Sequence, residues 1–138
     1  VFATGLGNGK SPLLNDDFTL SLSFSDGSIA TITYTSKGAK GMSKEYIEVF
    51  SAGRCAVIDD FSKGTFYVGP NKGKKFGTGK QNKGQKEMVK AMIEGLISGV
   101  PAQSSDDLFR TTLATIRAVE SIATGQPKQV SLKDLKKS

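Results

Sequence analysis

"DFTLSLSFSDGSIATITYT", residues 17–35, decides how this chain folds. Phe18, Leu20, Leu22 and Phe24 alternate with Thr19, Ser21 and Ser23, the period of two that a half-buried strand requires. "SDG" interrupts the run, and a second β-rich run follows. Let Ser25, Asp26 and Gly27 form a three-residue loop, a type I turn closed by Gly27 in the left-handed region. Leu22 then faces Ala30, Leu20 faces Ile32 and Phe18 faces Tyr34. A two-residue loop would set Leu22 against Thr31 and Leu20 against Thr33, mixing polar with apolar on one face. Register therefore selects the longer loop.

The same device recurs in "EYIEVFSAGRCAVIDDF", residues 45–61, where "SAG" again places glycine third between two β-rich runs. A matching loop pairs Val49 with Cys55 and Ile47 with Val57 as the core face. Tyr46, Glu48, Phe50, Arg54, Ala56 and Ile58 then share the other face, too apolar for ordinary surface and too charged for ordinary core. Something is expected to cover it. "TFYVGPNKGKKF", residues 65–76, reads as a third hairpin with "PNKG" as its turn.

After the loop "GTGKQNKG" the period changes. Within Gln85–Ile97, Met88, Val89, Met92, Ile93, Leu96 and Ile97 form two adjacent rows at i, i+4, i+8, the wide stripe of a helix lying on a sheet, and "SGVP" ends it. A second helix is expected from about Asp106 to Ala123, capped by Ser105, with Asp106 and Asp107 at the positive end of its dipole and Gly125 and Pro127 as the stop. Phe109, Leu113, Ile116, Val119 and Ile122 supply its apolar face. "QVSL", residues 129–132, suggests a short edge strand, and "KDLKKS" a frayed tail.

Strands first and helices later predict an α+β fold: one largely antiparallel, open-faced sheet with two helices packed on one face, a single domain over residues 1–138. The other face has no cover of its own and should meet a partner domain, a second subunit or a ligand. The extended "VFAT" at the start has no upstream neighbour, which suggests a piece of something longer.

Charge is concentrated. "KGKKFGTGKQNKGQK", Lys72–Lys86, holds six lysines and no acid, while the rest of the chain balances thirteen basic against thirteen acidic residues, so the whole net charge of +6 lives here. Such clustering raises polyanion binding as a function class. Only Phe76 interrupts the lysines and no arginine is among them, so the aromatics and bidentate arginines of base readout are missing, and no nucleic-acid partner is expected. The stretch reads as a solvated hairpin edge or a cleft rim.

Other classes fall away. The chain has no histidine, which removes the commonest general base and the usual zinc ligand. Its single cysteine, Cys55, rules out an internal disulfide framework and reads as a buried thiol. No apolar run approaches the roughly 20 residues needed to span a bilayer, and no signal pattern opens the chain, so a soluble, cytoplasmic protein without a membrane partner is expected. "GLGNGK" lacks the spacing and the following helix of a dinucleotide loop and reads as a flexible connection. "GKKFGTGKQ" lacks the spacing and hydroxyl of a phosphate loop. Asp59 and Asp60 sit together at a strand end, facing opposite ways, and Arg110 and Arg117 lie on one polar side of the second helix. No residue stands out as a nucleophile.

Taken in order, "FSDGSIATITYTSKGAKGMSKEYIEVFSAGRCAVIDDF", "NKGQKEMVKAMIEGLISGVP" and "LFRTTLATIRAVESIATGQP" resemble the C-terminal domain of the glucose-fructose oxidoreductase, inositol dehydrogenase and rhizopine catabolism family (Gfo/Idh/MocA). The resemblance spans nearly the whole chain. It implies a two-domain oxidoreductase in which an N-terminal Rossmann-type domain of the same polypeptide binds NAD or NADP. The present domain would supply an open sheet that floors the site for a sugar, polyol or sugar derivative and mediates homo-oligomer contacts. Some relatives instead attach this region to a zinc-type alcohol dehydrogenase-like domain. The family's cofactor loop, catalytic lysine and helical histidine have no matching positions here, so no catalytic, cofactor-binding or metal-binding residue is assigned. Similar sequences often read K-G-H where this chain has Lys83, Gly84 and Gln85.

The residues expected to touch substrate are Lys44, Tyr46, Arg54 and Lys83. Each also has a plainer explanation, respectively an edge lysine, strand packing, a cross-strand ion pair and a helix entry. From a different class comes the alternative of a stand-alone protein-interaction or oligomerisation module, and behind it a polyanion-binding module through Lys72–Lys86.

Overall fold

A computed structural model describes residues 1–6 and 16–133. Its elements are β1 (Phe2–Gly5), β2 (Asp17–Ser23), β3 (Ile29–Thr35), β4 (Tyr46–Ser51), β5 (Arg54–Asp59), β6 (Lys63–Val68), β7 (Lys74–Gly77), α1 (Gln85–Ser98) and α2 (Ser105–Thr124). The expected α+β class and antiparallel pairing hold. The strands, however, divide between two sheets, ordered β1-β2-β3 and β4-β5-β6-β7, rather than gathering in one. The chain correspondingly forms two compact units, Val1–Gly38 with Gln103–Ser138, and Ala39–Ala102, so each helix belongs to a different unit. The connection from Ser36 to Glu45, with two glycines and three lysines, has neither the β-branched content nor the alternation to extend a ladder, and β4 starts a new one.

In the first unit the β2–β3 register is the expected one: Phe18↔Tyr34, Leu20↔Ile32, Leu22↔Ala30. Gly27 takes φ 87°, and Asp26 Oδ1 accepts from the Ser28 N–H at 3.0 Å and its hydroxyl at 2.7 Å, holding the loop. The rings of Phe18 and Tyr34 stack with centroids 5.4 Å apart. At the open end, the buried Asp17 carboxylate accepts from the Thr35 hydroxyl, the Ser36 N–H and Lys37 Nζ. Those contacts, the Thr35 bond first, hold its pKa below the ordinary value.

α2 docks on β1 through small residues. Ala118 and Ser121 are buried beside Leu113, whereas Phe109 and Ile116, expected to face the core, are 58% and 51% exposed. Small side chains let the backbones approach closely enough for Ser121 Oγ to accept the Ala3 N–H at 2.9 Å while donating to the Gln126 carbonyl at 2.7 Å. The cap is Ser104, one residue before the expected Ser105. Its hydroxyl accepts the Asp107 N–H at 3.1 Å. Residues 129–132 form no strand. Pairing stops at Lys128, which exchanges two hydrogen bonds with Val1. The "GLGNGK" loop beyond Leu6 and the tail 134–138 lie outside the described residues.

The second unit corrects one register. β4 and β5 pair as Ile47↔Ile58, Val49↔Ala56 and Ser51↔Arg54, so the loop is Ala52-Gly53, with φ 47° and 72°, a two-residue type I′ turn. Because "CAVI" in β5 is apolar at four consecutive positions, either register buries apolar pairs and the alternation argument loses its force. β6 supplies the missing constraint: Phe66 pairs with Ala56 and Gly64 with Ile58. A Cβ on Gly64 would stand 2.3 Å from Phe76 Cζ and 2.5 Å from the Val57 carbonyl oxygen, so Gly64 is the residue over which the β7 aromatic ring lies.

α1 matches expectation in extent, between Gly84 and Gly99, both left-handed. Its stripe does not find a sheet. Met88, Val89, Met92, Ile93, Leu96 and Ile97 are between 46% and 82% exposed. Among the described residues of this unit, no apolar side chain is fully buried.

Candidate functional site

The corrected register re-sorts the two faces of the four-stranded sheet. Tyr46, Glu48 and Phe50 now share a face with Cys55, Val57 and Asp59, and through β6 and β7 with Lys63, Thr65, Tyr67, Lys75 and Gly77. Arg54, Ala56 and Ile58 move to the opposite face with Ile47, Val49, Phe66 and Phe76. Arg54 also lies at the other end of β5 from Asp59, five residues and roughly 17 Å away, and so leaves the group of expected substrate contacts.

The remaining three meet at one end of the sheet. Lys83 Nζ pairs with Glu45 Oε1 at 2.6 Å, Lys44 stands exposed beside Glu45, and Tyr46 opens β4. Tyr46 donates its hydroxyl proton to Glu48 Oε1 at 3.1 Å, and that bond raises its pKa, because losing the proton would set a phenolate against a carboxylate. Across the pair, Asp59 is held below the ordinary carboxylate value, first by the Ser43 hydrogen bond and then by Lys63, whose Nζ lies 3.2 Å away.

A strained turn closes this end. Asp60 and Phe61 both take positive φ, 49° and 51°, a conformation costing non-glycine residues roughly 1–2 kcal/mol each. It persists because its surroundings over-determine it. Asp60 N–H donates to the Glu45 carbonyl at 2.7 Å, Asn82 N–H to the Phe61 carbonyl at 2.9 Å, Gly79 N–H to the Ser62 carbonyl at 3.0 Å, and Gln81 Nε2 to Asp60 Oδ1 at 2.9 Å. The lysine-rich loop 79–83 is therefore strapped to the β5–β6 turn, with Lys83 completing the strap.

Beside the turn lies an open hollow of about 470 Å³, lined by Tyr46, Val57, Asp59, Lys63, Gly64, Thr65, Lys75, Phe76 and Gly77. It offers ammonium, carboxylate and hydroxyl groups over a partly apolar floor. Lys63 is neutralised by Asp59, whereas Lys75 has no carboxylate partner among the described residues. Such a surface can bind and orient a small polar molecule. It carries no nucleophile and no base set against one. Lys63, Thr65 and Lys75 were not anticipated, because only the pairing of β6 with β7 brings them together, and neither strand signals its register in sequence.

Cys55 is half-buried rather than fully buried, and no group of three or more His, Cys, Asp and Glu among the described residues could hold a metal ion. No described helix is long and apolar enough to cross a membrane. Arg110 pairs with Asp106 and Asp107 on an exposed side, whereas Arg117, one turn from the buried Leu113 and Ser121, is only 25% exposed and pairs with Glu120, so the two arginines do not share the expected polar face. No family model matches the chain, and no curated protein and no solved structure matches it.

Proposed function

We propose that this chain is the substrate-side and subunit-contact domain of an NAD(P)-dependent oxidoreductase that acts on a C–OH group of a sugar, polyol or sugar derivative. The observation that carries this is the second unit's uncovered surface. A four-stranded sheet presents polar, hydrogen-bonding groups at one end of a face and Phe50 and Tyr67 along it, with 70% and 40% of each exposed, and no apolar side chain of the unit is fully buried. A stable protein covers apolar surface of that extent with further protein. The ordered motifs that resemble Gfo/Idh/MocA domains supply the chemical class. In this reading a Rossmann-type domain of the same polypeptide holds NAD or NADP and the group that moves the proton, while this domain orients the substrate hydroxyls.

The test is the complete gene product incubated with a panel of sugars and polyols, following NAD(P)H formation. Turnover that requires NAD⁺ or NADP⁺, with none from the 138-residue chain alone, is the expected result. Failure of the complete product to bind either nicotinamide cofactor overturns the assignment. The exposed α1 stripe favours a second reading, a protein-interaction and oligomerisation module, which the same failure together with a stable dimer in sedimentation would leave standing.

A further inference from the structure

We infer that the hollow on the Tyr46 face contains an oxyanion subsite, centred on Thr65 between Lys63 and Lys75, and that its ligand is a polyhydroxylated molecule bearing one carboxylate or phosphate. This rests on the proposed function, which it narrows to acidic sugars.

Placement is the first argument. Thr65 lies directly opposite Lys75 across the β6–β7 ladder, which puts their Cβ atoms about 4.5–5.5 Å apart on one face. Lys63 precedes Thr65 by two residues on the same face and is diagonal to Lys75, roughly 7–8 Å away. Two lysines on flexible stems and one hydroxyl thus rise from one face with the space above Thr65 within reach, although Lys63 Nζ rests on Asp59 when no ligand is bound. They are a set of donors suited to an anionic oxygen group.

Charge is the second. Of the lysines on this face, Lys63 has Asp59 at 3.2 Å, but an ammonium carries three donors and can hold a second anion. Lys75 has no carboxylate partner among the described residues. Asp59, the hollow's own anion, stands two strands and two residues from Lys75, about 12 Å between backbones, beyond the roughly 8 Å screening length at physiological salt. It therefore opposes an anion at Thr65 only weakly. On its own side it can accept hydrogen bonds from neutral hydroxyls, as its depressed pKa keeps it ionised. Around the hollow, Lys72 and Lys74 add positive potential with no acidic residue between Lys72 and Lys86.

The remaining lining fits the rest of such a ligand. Tyr46 and Val57 give apolar surface for the carbon face of a sugar, and Gly77, on the same face, leaves the floor low.

The experiment is an amide chemical-shift titration of the full chain with four probes: gluconate, glucose 6-phosphate, glucose and inorganic phosphate. Shifts confined to Val57, Lys63, Thr65 and Lys75 with gluconate or glucose 6-phosphate are expected, at an affinity at least tenfold above that for glucose. Inorganic phosphate should shift Lys63, Thr65 and Lys75 alone. Which acidic probe binds tighter assigns the group as carboxylate or phosphate. K75Q should weaken the acidic probes about tenfold and leave glucose unchanged, and T65V should do so to a smaller degree, whereas K80Q, off this face, should change nothing beyond twofold. Amide dispersion reports that each variant is folded, and K75R, which keeps the charge, should restore binding. Equal affinity for glucose and gluconate, or equal losses from K80Q and K75Q, would overturn the subsite and leave only diffuse attraction to lysines. A complete gene product that binds no nicotinamide overturns the oxidoreductase assignment instead, without altering these shifts.

Discussion

The two tight hairpins carry nearly the same loop letters, "SDG" and "SAG", yet they turn differently. The β2–β3 connection is the three-residue loop, and Asp26, whose neighbour glycine would suit a type I′ turn, keeps a negative φ. The β4–β5 connection is the type I′ turn, although it forces Ala52 to φ 47°. Turn propensity alone would have assigned them the other way round. In the first, strict alternation leaves one register that gathers Leu20, Leu22, Ile32 and their neighbours on one face, and the loop follows, with Asp26 bonding Ser28. In the second, "CAVI" permits two registers, and the choice passes to β6 and β7, which impose the turn and its strain on Ala52.

That contrast can be broken at its strongest point. Gly64→Ala removes the constraint that sets the second register, since its Cβ would collide with the Phe76 ring and the Val57 carbonyl. A loss of about 3 kcal/mol in chemical denaturation is expected, with the β6–β7 amides losing protection while the β2–β3 amides keep theirs. Unchanged β6–β7 protection would show that this packing does not fix the register.

In the first hairpin the corresponding blow is to alternation. Leu20→Thr replaces a half-buried member of the apolar face and should cost about 1.5 kcal/mol, with a mixed β2–β3 register visible in cross-strand nuclear Overhauser effects. Ala52→Gly should have the opposite sign. Relief of the left-handed strain outweighs the added freedom of the unfolded chain and raises stability by up to about 1 kcal/mol, whereas Asp26→Gly lowers it by removing the Ser28 bonds.

The smallest effect separates the loops by pH. Hydrogen bonds from Ser28 hold the Asp26 pKa below its ordinary 3.8. A depressed carboxylate stabilises the fold fully above the unfolded value, and that contribution is lost as pH falls through the folded value. Exchange of the Ser28 amide should therefore quicken as pH is lowered below about 4, relative to the intrinsic rate, while the Arg54 amide beyond the "SAG" loop shows no matching inflection.

Much of the fold was legible because it rests on local pattern. Both helices appear within a residue or two of their expected ends, with Gly99 and Gly125 as stops, and the first hairpin appears residue for residue. What stayed hidden depends on contacts remote in sequence. Arg54 was placed with Tyr46 because one unit of register slip moves every β5 side chain to the other face. The inward face of α2 was misjudged because Ala118 and Ser121 promise little burial by hydropathy, and only the approach of β1 makes smallness an advantage. The hollow needed the unsignalled pairing of β5 with β6 and, in the expected β6–β7 hairpin, a register that "PNKG" does not fix, before Lys63, Thr65 and Lys75 could meet.

The wholly buried Ser121 hydroxyl has a dynamic consequence. It takes a hydrogen from Ala3 and gives its own to Gln126, so the backbone of β1 and the exit from α2 share one oxygen although 118 residues of chain separate Ala3 from Ser121. Neither can detach without stranding a polar group of the other. The first strand and the last turn of the second helix should therefore open and close as one cooperative unit, exchanging their amide hydrogens at a common rate.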